Sequence, residues 1–596
     1  MKDFLKHVLA TIVGLFGFGI VMLILGFISL VGIMVSGNGT TKIDDNSVLV
    51  INLQGDISEK AEEDFIGRLT GNRINQLGLN ELKDAIKKAQ DNDKIKGIYL
   101  QAGVLQSDYA TLQELRNTLA DFKKSGKWII AYGDSYTQGA YYLTSVANKL
   151  YLNPEGMLDW HGIAARIQFN KGLYDKVGLK YQVFKVGKFK SYTERYTEEQ
   201  MSEPNHEQVK RYINGLWDIM VADVSKSRNI APTKLRQLAD STLFLNDNKM
   251  LVSNKIVDGL LYYDQLKAAM KKQLGIDEDE DINQVTVGDV IDASEENSQG
   301  DAIAVYYCEG TIVRMPSESL FGGEKEIVSD VVCSDLADLA DDDDVKAVVL
   351  RINSGGGDAY ASEQLWRQVK LLNAKKPVVV SMSGMAASGA YYMSMGARWL
   401  VAQPTTLTGS IGIFACLPDF SELYNQKLGI RFDEEKTNEM ATFSYPVGMV
   451  PMARHFNATE ATAIQNYVNR GYVLFRQRVA EGRKMKTAQV EDVAQGRVWL
   501  GTDALRLKLV DQLGGLEEAM TKAAQLAKLK KYHAEEYPLV GSFLEQLLNQ
   551  AENHNNYLDS HMRMVLGEFY QPFVELRNAR NRELLQARIP FTLDVK

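Results

Sequence analysis

Ser388 lies in Ser-Met-Ser-Gly-Met-Ala-Ala-Ser-Gly-Ala-Tyr-Tyr-Met-Ser, residues 381–394, where a hydroxyl follows an apolar run and is flanked by very small residues. A serine in that setting is either a small packing residue at a strand-to-helix turn or a nucleophile for acyl transfer. Upstream, the apolar run Lys-Ala-Val-Val-Leu-Arg-Ile, residues 346–352, leads into Asn353-Ser354-Gly355-Gly356-Gly357-Asp358. Consecutive glycines at a strand end let the backbone approach a ligand and aim N–H groups at it, as an oxyanion cradle requires. A lone serine also needs a base. None of the seven histidines lies near these motifs in the chain, and there is no Gly-x-Ser-x-Gly signature. A lysine kept neutral by burial is the other known partner. Phe-Lys-Val-Gly-Lys-Phe-Lys-Ser-Tyr-Thr-Glu, residues 184–194, offers Lys185, Lys188 and Lys190.

The chain also repeats itself. DKIKGIYLQ at 93–101 parallels DDVKAVVLR at 343–351, and QGAYYLTSVANKLYLNP at 138–154 parallels SGAYYMSMGARWLVAQP at 388–404, at the same offset. VLVINLQGDI at 48–57 resembles IAVYYCEGTI at 303–312, and KIVDGL at 255–260 resembles KLVDQL at 508–513. Two homologous halves therefore follow one another. Their differences separate the chemistry: Ser388 corresponds to Gln138, the glycine run to Gly103-Val104-Leu105-Gln106-Ser107-Asp108, and Lys190 to Ala441. The first half keeps the amine and the second keeps the hydroxyl. Tyr141-Tyr142 and Tyr391-Tyr392 recur in both halves, which favours a structural role.

These residues must be positioned by elements that the hydrophobic pattern announces. Short β-branched runs (VLVINL, GIYLQ, WIIAY; then IAVYY, AVVLRI, PVVVSM) alternate with amphipathic stretches in each half. The pattern predicts an α/β fold with largely parallel, buried strands. The acidic, polar stretch 275–301 lacks sustained apolar periodicity and places the boundary near Ser298, while the pattern after Leu516 is helical. At the start, residues 8–35 carry no charge. As a helix at about 1.5 Å per residue they would outspan the ~30 Å bilayer core. Lys2 and Lys6 precede this stretch, so an uncleaved transmembrane helix is expected with the short N-terminus in the cytoplasm and the rest outside it.

Composition is that of a globular protein, with 45% hydrophobic and 24% charged residues and a net charge of −9, which gives no indication of nucleic-acid binding. Cys308, Cys333 and Cys416 have neither disulfide-framework nor zinc-ligand spacing.

In combination these motifs resemble the signal peptide peptidase A (protease IV) family in its long, tandem-repeat bacterial form, which shares the fold of the Clp protease and crotonase superfamily. GRVWLGTDALRLKLVDQLGGL at 496–516 resembles a further element of that family. The resemblance implies Ser388 as nucleophile, from Ala-Ser-Gly-(Gly/Ala)-Tyr, and Lys190 as general base, from Gly-x-aromatic-Lys-Ser. It implies Ser410, within Thr408 to Gly412, as the hydroxyl that orients the lysine, and the amides of Gly357 and Gly389 as the oxyanion hole. Two departures stand out: Gly355 replaces the family's usual proline in the glycine run, and Ala390 replaces a common glycine.

The expected organisation is a cytoplasmic stub and transmembrane anchor (1–37), an α/β repeat supplying the lysine (38–297), an α/β repeat supplying the serine (298–530) and a helical tail for packing or assembly (531–596). The implied activity is metal-free, cofactor-free hydrolysis of cleaved signal peptides and other peptides, with the catalytic domains on the periplasmic side of a bacterial inner membrane. A homotetramer, held to lipid by the N-terminal helix, is also implied. The rival classes are a non-catalytic membrane scaffold, which would tolerate loss of Ser388 and Lys190, and a crotonase-like acyl-CoA enzyme without a Ser–Lys dyad.

Overall fold

The computed structural model describes residues 42–60, 77–293, 299–316, 325–443, 454–538 and 586–589, with Gly14, Phe18 and Met22 as single helical positions. The expected membrane span, 8–35, otherwise lies outside these residues, as does the expected boundary at Ser298. Among the described residues no helix is long and apolar enough to cross a membrane.

Each half is built on a parallel sheet. In the first, the order is Leu77–Gly78, Ser47–Ser58, Ile95–Gln106, Trp128–Tyr136, Lys149–Leu158, Gly259–Leu260. In the second, Asp301–Glu309, Val345–Ser354, Val378–Ala387, Trp399–Ala402 and Gln512–Leu513 follow in the corresponding order, also parallel. These strands are apolar on both faces because both faces are covered. Val348 and Leu350 join the main core of the second half, whereas Ala347 and Val349 point the other way, onto the helix Leu516–Ala527. The first half repeats this device, with Val48, Tyr99 and Ile130 packed against Leu266 and Met270 of the helix Tyr263–Leu274.

The repeated tyrosines are locks in this framework. Tyr141 Oη donates to the Ile256 carbonyl at 3.2 Å, and Tyr391 Oη donates to the Leu509 carbonyl at 2.8 Å. The repeated Val-Asp pairs are equivalent too, with Asp258 accepting from the Leu150 amide at 2.7 Å and Asp511 from the Leu400 amide at 2.9 Å.

A third, mixed sheet joins the halves and delivers the lysine. The strand Lys180–Lys185 of the first half pairs antiparallel with Phe414–Asp419 of the second, from Lys180↔Asp419 to Lys185↔Phe414. Between Phe414–Asp419 and the glycine strand Gly356–Asp358 lies a short strand, Gln586–Arg588.

One expectation is corrected here. The described parts of the expected helical tail are strands: Tyr532–Tyr537 extends the second-half sheet beside Asp301–Glu309, and Gln586–Arg588 enters the mixed sheet. Open sheet edges recruited these segments, a tertiary effect that overrides local helical pattern. The acidic stretch 275–301 carries regular structure of its own. Gln284–Val285 pairs with Ser47–Ser58, and Thr286 and Asp289 form a capping box for the helix Val287–Asp292.

Charge is buried where the halves meet. Arg351 of the second half, 1% exposed, contacts Glu59 at 2.8 Å and Glu114 at 2.9 Å, both from the first half. Lys83 pairs with Glu114 from the other side. Burial alone would raise the Glu114 carboxyl, but Arg351 and Lys83 outweigh it and hold the group well below the usual carboxylate range.

Candidate active site

The strand Val378–Ala387 ends at Ser388, and the helix Gly389–Ser394 begins directly after it. Ser388 takes φ 57° and ψ −113°, a conformation that L-residues rarely adopt. Such a backbone costs about 1–3 kcal/mol and persists only where its surroundings over-determine it. Here the Ser388 amide donates to the Gly409 carbonyl at 2.8 Å, and the Ser388 carbonyl accepts from the Tyr392 amide at 2.8 Å. The side chain is fully buried.

Lys190 arrives at the end of the arm that the mixed sheet anchors. The Val186 amide donates to the Ile413 carbonyl at 3.2 Å, and the Phe189 amide to the Gln495 carbonyl at 3.0 Å. Gln208 Nε2 donates to the Phe189 carbonyl at 3.0 Å and to Ser191 Oγ at 2.9 Å, fixing the backbone on both sides of the lysine. Gly496, at φ +80°, lies against the stem so closely that a Cβ there would sit 2.6 Å from Lys190 Cβ.

The two halves thus bring Lys190 Nζ to 2.8 Å from Ser388 Oγ. The same nitrogen lies 3.1 Å from the Ser410 carbonyl oxygen and 3.0 Å from Ser410 Oγ. Ser410 is itself at φ 51°, with its amide donating to the Arg497 carbonyl at 2.7 Å. Lys190 is fully buried, and burial pushes its pKa well below the ordinary lysine value of 10.5. Lys185 and Lys188, the other lysines of this stretch, do not share that burial.

The glycine strand and the helix start converge beside the serine. A Cβ on Gly389 would lie 3.1 Å from the Gly357 nitrogen and 2.5 Å from Ser362 Oγ, so Gly357 and Gly389 present neighbouring amides in a space that excludes side chains. Gly357 is further constrained by the strand Thr311–Val313, whose Ile312 carbonyl oxygen would be 2.0 Å from a Cβ there. Buried Ser362 donates to the Asp358 carbonyl at 2.7 Å, supporting the same turn. All five residues singled out in the sequence therefore lie around one point.

The equivalent place in the first half is filled. Gln138 Nε2 donates to Tyr109 Oη at 3.1 Å and to the Gly162 carbonyl at 3.0 Å, while Oε1 accepts from the amides of His161 and Gly162 at 3.0 and 2.9 Å. Its hydrogen-bonding capacity is used within the fold.

Sequence reasoning missed three contributors. Gly496 opened a quoted motif, and its position before Arg-Val-Trp could have drawn attention to it as a backbone contact. Gln208 carries no local signal. The segment 586–589, which lies against the glycine strand, was hidden behind a pattern that favours helix.

The profile of peptidase family S49 matches this chain twice, over residues 121–277 and 370–530, and that of the Clp protease family matches residues 314–403. The chain is similar to Protease 4 of Haemophilus influenzae, with 33% identity covering 85% of this chain and 84% of that one. It is similar to Protease 4 of Salmonella typhi, with 33% identity over 88% and 86% of the two chains. A chloroplastic serine protease SPPA of Arabidopsis thaliana is 30% identical over 82% of this chain and 70% of its own.

Fold and similarity together define the class, an α/β serine peptidase with tandem S49 repeats and a Clp protease-like segment in the second. More particularly, the chain belongs to peptidase family S49.

Proposed function

We propose that the chain is a membrane-anchored endopeptidase working through a Ser388–Lys190 dyad assembled from its two halves. The observation that carries the proposal is the 2.8 Å approach of Lys190 Nζ to Ser388 Oγ in a fully buried setting. A neutral amine has two N–H groups and one lone pair. The two N–H groups match the Ser410 carbonyl and hydroxyl oxygens, leaving the lone pair for the Ser388 proton. Burial favours that neutral form, and so fits the lysine to act as a base near neutral pH.

In this mechanism Lys190 takes the Ser388 proton as Oγ attacks a peptide carbonyl, and the amides of Gly357 and Gly389 stabilise the resulting oxyanion. The lysine passes its proton to the departing amine. It then removes a proton from water, which hydrolyses the ester. Ser410 acts through Lys190 and positions it.

The uncharged run 8–35 supports anchoring in a bacterial inner membrane with the site on the periplasmic side. A site held at a membrane surface suits cleaved, apolar signal peptides. Assembly as a homotetramer completes the reading drawn from the family resemblance. Hydrolysis of an apolar peptide by the purified chain tests it. The parent should cleave and Ser388→Ala should not, and equal activity of the two would overturn the dyad.

A further inference from the structure

We infer that Gln208 is a positioning residue that sets the spacing of the dyad across the two halves, and that Asn205 and Glu194 hold its carboxamide in the one orientation that does so. This rests on the peptidase reading above and names the side chains that keep its base in place.

Gln208 lies on the first-half helix Glu203–Arg228 and is 1% exposed. Its Nε2 reaches the residues on either side of the lysine, the Phe189 carbonyl at 3.0 Å and Ser191 Oγ at 2.9 Å. Its Oε1 faces the other half and accepts from the Val498 amide at 3.4 Å. Val498 opens the strand Val498–Leu500, which pairs antiparallel with Leu407–Gly409 so that Val498 stands opposite Gly409. The Gly409 carbonyl holds the Ser388 amide at 2.8 Å, and the neighbouring Arg497 carbonyl holds the Ser410 amide at 2.7 Å. One carboxamide therefore ties the backbone around the base to the strand pair that carries the nucleophile and Ser410.

That tie works in a single orientation. Turned over, the amide would set its oxygen against the Phe189 carbonyl and its N–H groups against the Val498 N–H, and both halves would lose their contact. Asn205, three residues earlier on the same helix and 1% exposed, prevents this, because its Oδ1 lies 3.2 Å from Gln208 Nε2. Asn205 is oriented in turn by Glu194, whose Oε2 accepts from Asn205 Nδ2 at 3.0 Å. A carboxylate only accepts, so it fixes the direction of every donor along the line from Glu194 to the Phe189 carbonyl. Glu194 is itself 4% exposed and accepts from Ser202 Oγ at 2.6 Å and the Ser202 amide at 3.1 Å. Ser202 caps the helix that carries Asn205 and Gln208, so the carboxylate also sits at the end of that helix where negative charge is stabilised.

The consequence falls on Lys190. A loosened clamp lengthens the 2.8 Å approach of Nζ to Ser388 Oγ and lets water reach the amine. The first effect slows proton transfer, and the second restores the lysine's affinity for its proton, so less of the base is neutral at a given pH.

The test is hydrolysis of an added apolar peptide by the full-length protein across a pH series, with circular dichroism and urea unfolding to establish the folded fraction. In Gln208→Met, kcat per folded molecule is expected to fall about 10–100-fold with KM within about twofold. The acid limb of its pH–rate profile should move up by about one unit, which a simple loss of folded protein would not do. Asn205→Asp sets two carboxylates against each other and should shift the profile the same way. Adding Glu194→Gln to Asn205→Asp reverses donor and acceptor at that contact and should recover part of both kcat and the profile. Should Gln208→Met fail to fold, this rescue decides the matter. A Gln208→Met that keeps the parental kcat, or loses it without moving the profile, or a double variant no better than Asn205→Asp, overturns the inference, while Ser388-dependent hydrolysis by the parent leaves the peptidase reading standing. A parent that cleaves no peptide overturns that reading and the positioning role with it.

Discussion

Replacing Arg351 by methionine should loosen the two halves at the point where they share charge. The guanidinium is 1% exposed and touches Glu59 at 2.8 Å, Glu114 at 2.9 Å, Ser381 Oγ at 2.9 Å and Ser383 Oγ at 3.1 Å. In Arg351→Met, Glu114 keeps Lys83, but Glu59 loses the cation that faces it. Breaking one side of a buried pair costs about 3–5 kcal/mol, against a total stability on the order of 5–15 kcal/mol. For units of this size that corresponds to a fall in Tm of roughly 6–20 °C. Glu59→Gln added to Arg351→Met should recover part of the loss, because a neutral amide replaces a buried charge. The pH dependence has a definite sign. Arg351 and Lys83 hold the Glu114 carboxyl low, so this stability is fully present above the unfolded glutamate value of about 4.3 and is lost as pH falls through the lower native value. The gap between parent and variant should therefore narrow in that acid window. Thermal unfolding followed by circular dichroism, with peptide hydrolysis measured below the transition, reads both effects. A variant destabilised by less than about 1 kcal/mol and fully active would refute the idea that this cluster couples the halves.

Three further outcomes follow from the site. Lys190→Met should lower kcat by about 10²–10⁴, the contribution of a general base. It should also remove a pH dependence of stability: burial depresses the native lysine pKa, so the parent gains stability relative to Lys190→Met as pH rises from that native value toward 10.5, which urea titrations across that range would detect. Ser410→Ala should reduce kcat with little change in KM and shift the pH–rate profile, because it removes one of the groups that hold the amine. Gly496→Ala should lower activity and stability together, since a Cβ 2.6 Å from Lys190 Cβ at φ +80° must displace the lysine or the turn; a fully active variant in steady-state assays would contradict that packing.

Much of this was legible because the chain carries its own comparison. Aligning the two halves exposed the loss of the serine at Gln138 and of the amine at Ala441. Local pattern found the parallel strands, since burial on both faces leaves continuous apolar runs such as Ala-Val-Val-Leu. The choice among Lys185, Lys188 and Lys190 was different. Local chemistry cannot separate three lysines in one short stretch, and it is the arm paired with Phe414–Asp419 that carries Lys190 alone into a dry interior. The Arg351 cluster was illegible for a similar reason, because its partners come from distant parts of both halves. Gln586–Arg588 was misread as helical because an open sheet edge, a property of the assembled fold, determines its conformation.

The central claim is that Ser388 is a nucleophile activated by a lysine from the other half. Treating the full-length protein with a serine-directed fluorophosphonate and mapping the adduct by mass spectrometry, beside Lys190→Met, tests it most directly. The account predicts an adduct on Ser388 in the parent and none in the variant over the same time. Labelling of Ser388 at equal rates in both proteins, or labelling of another serine alone, would contradict it.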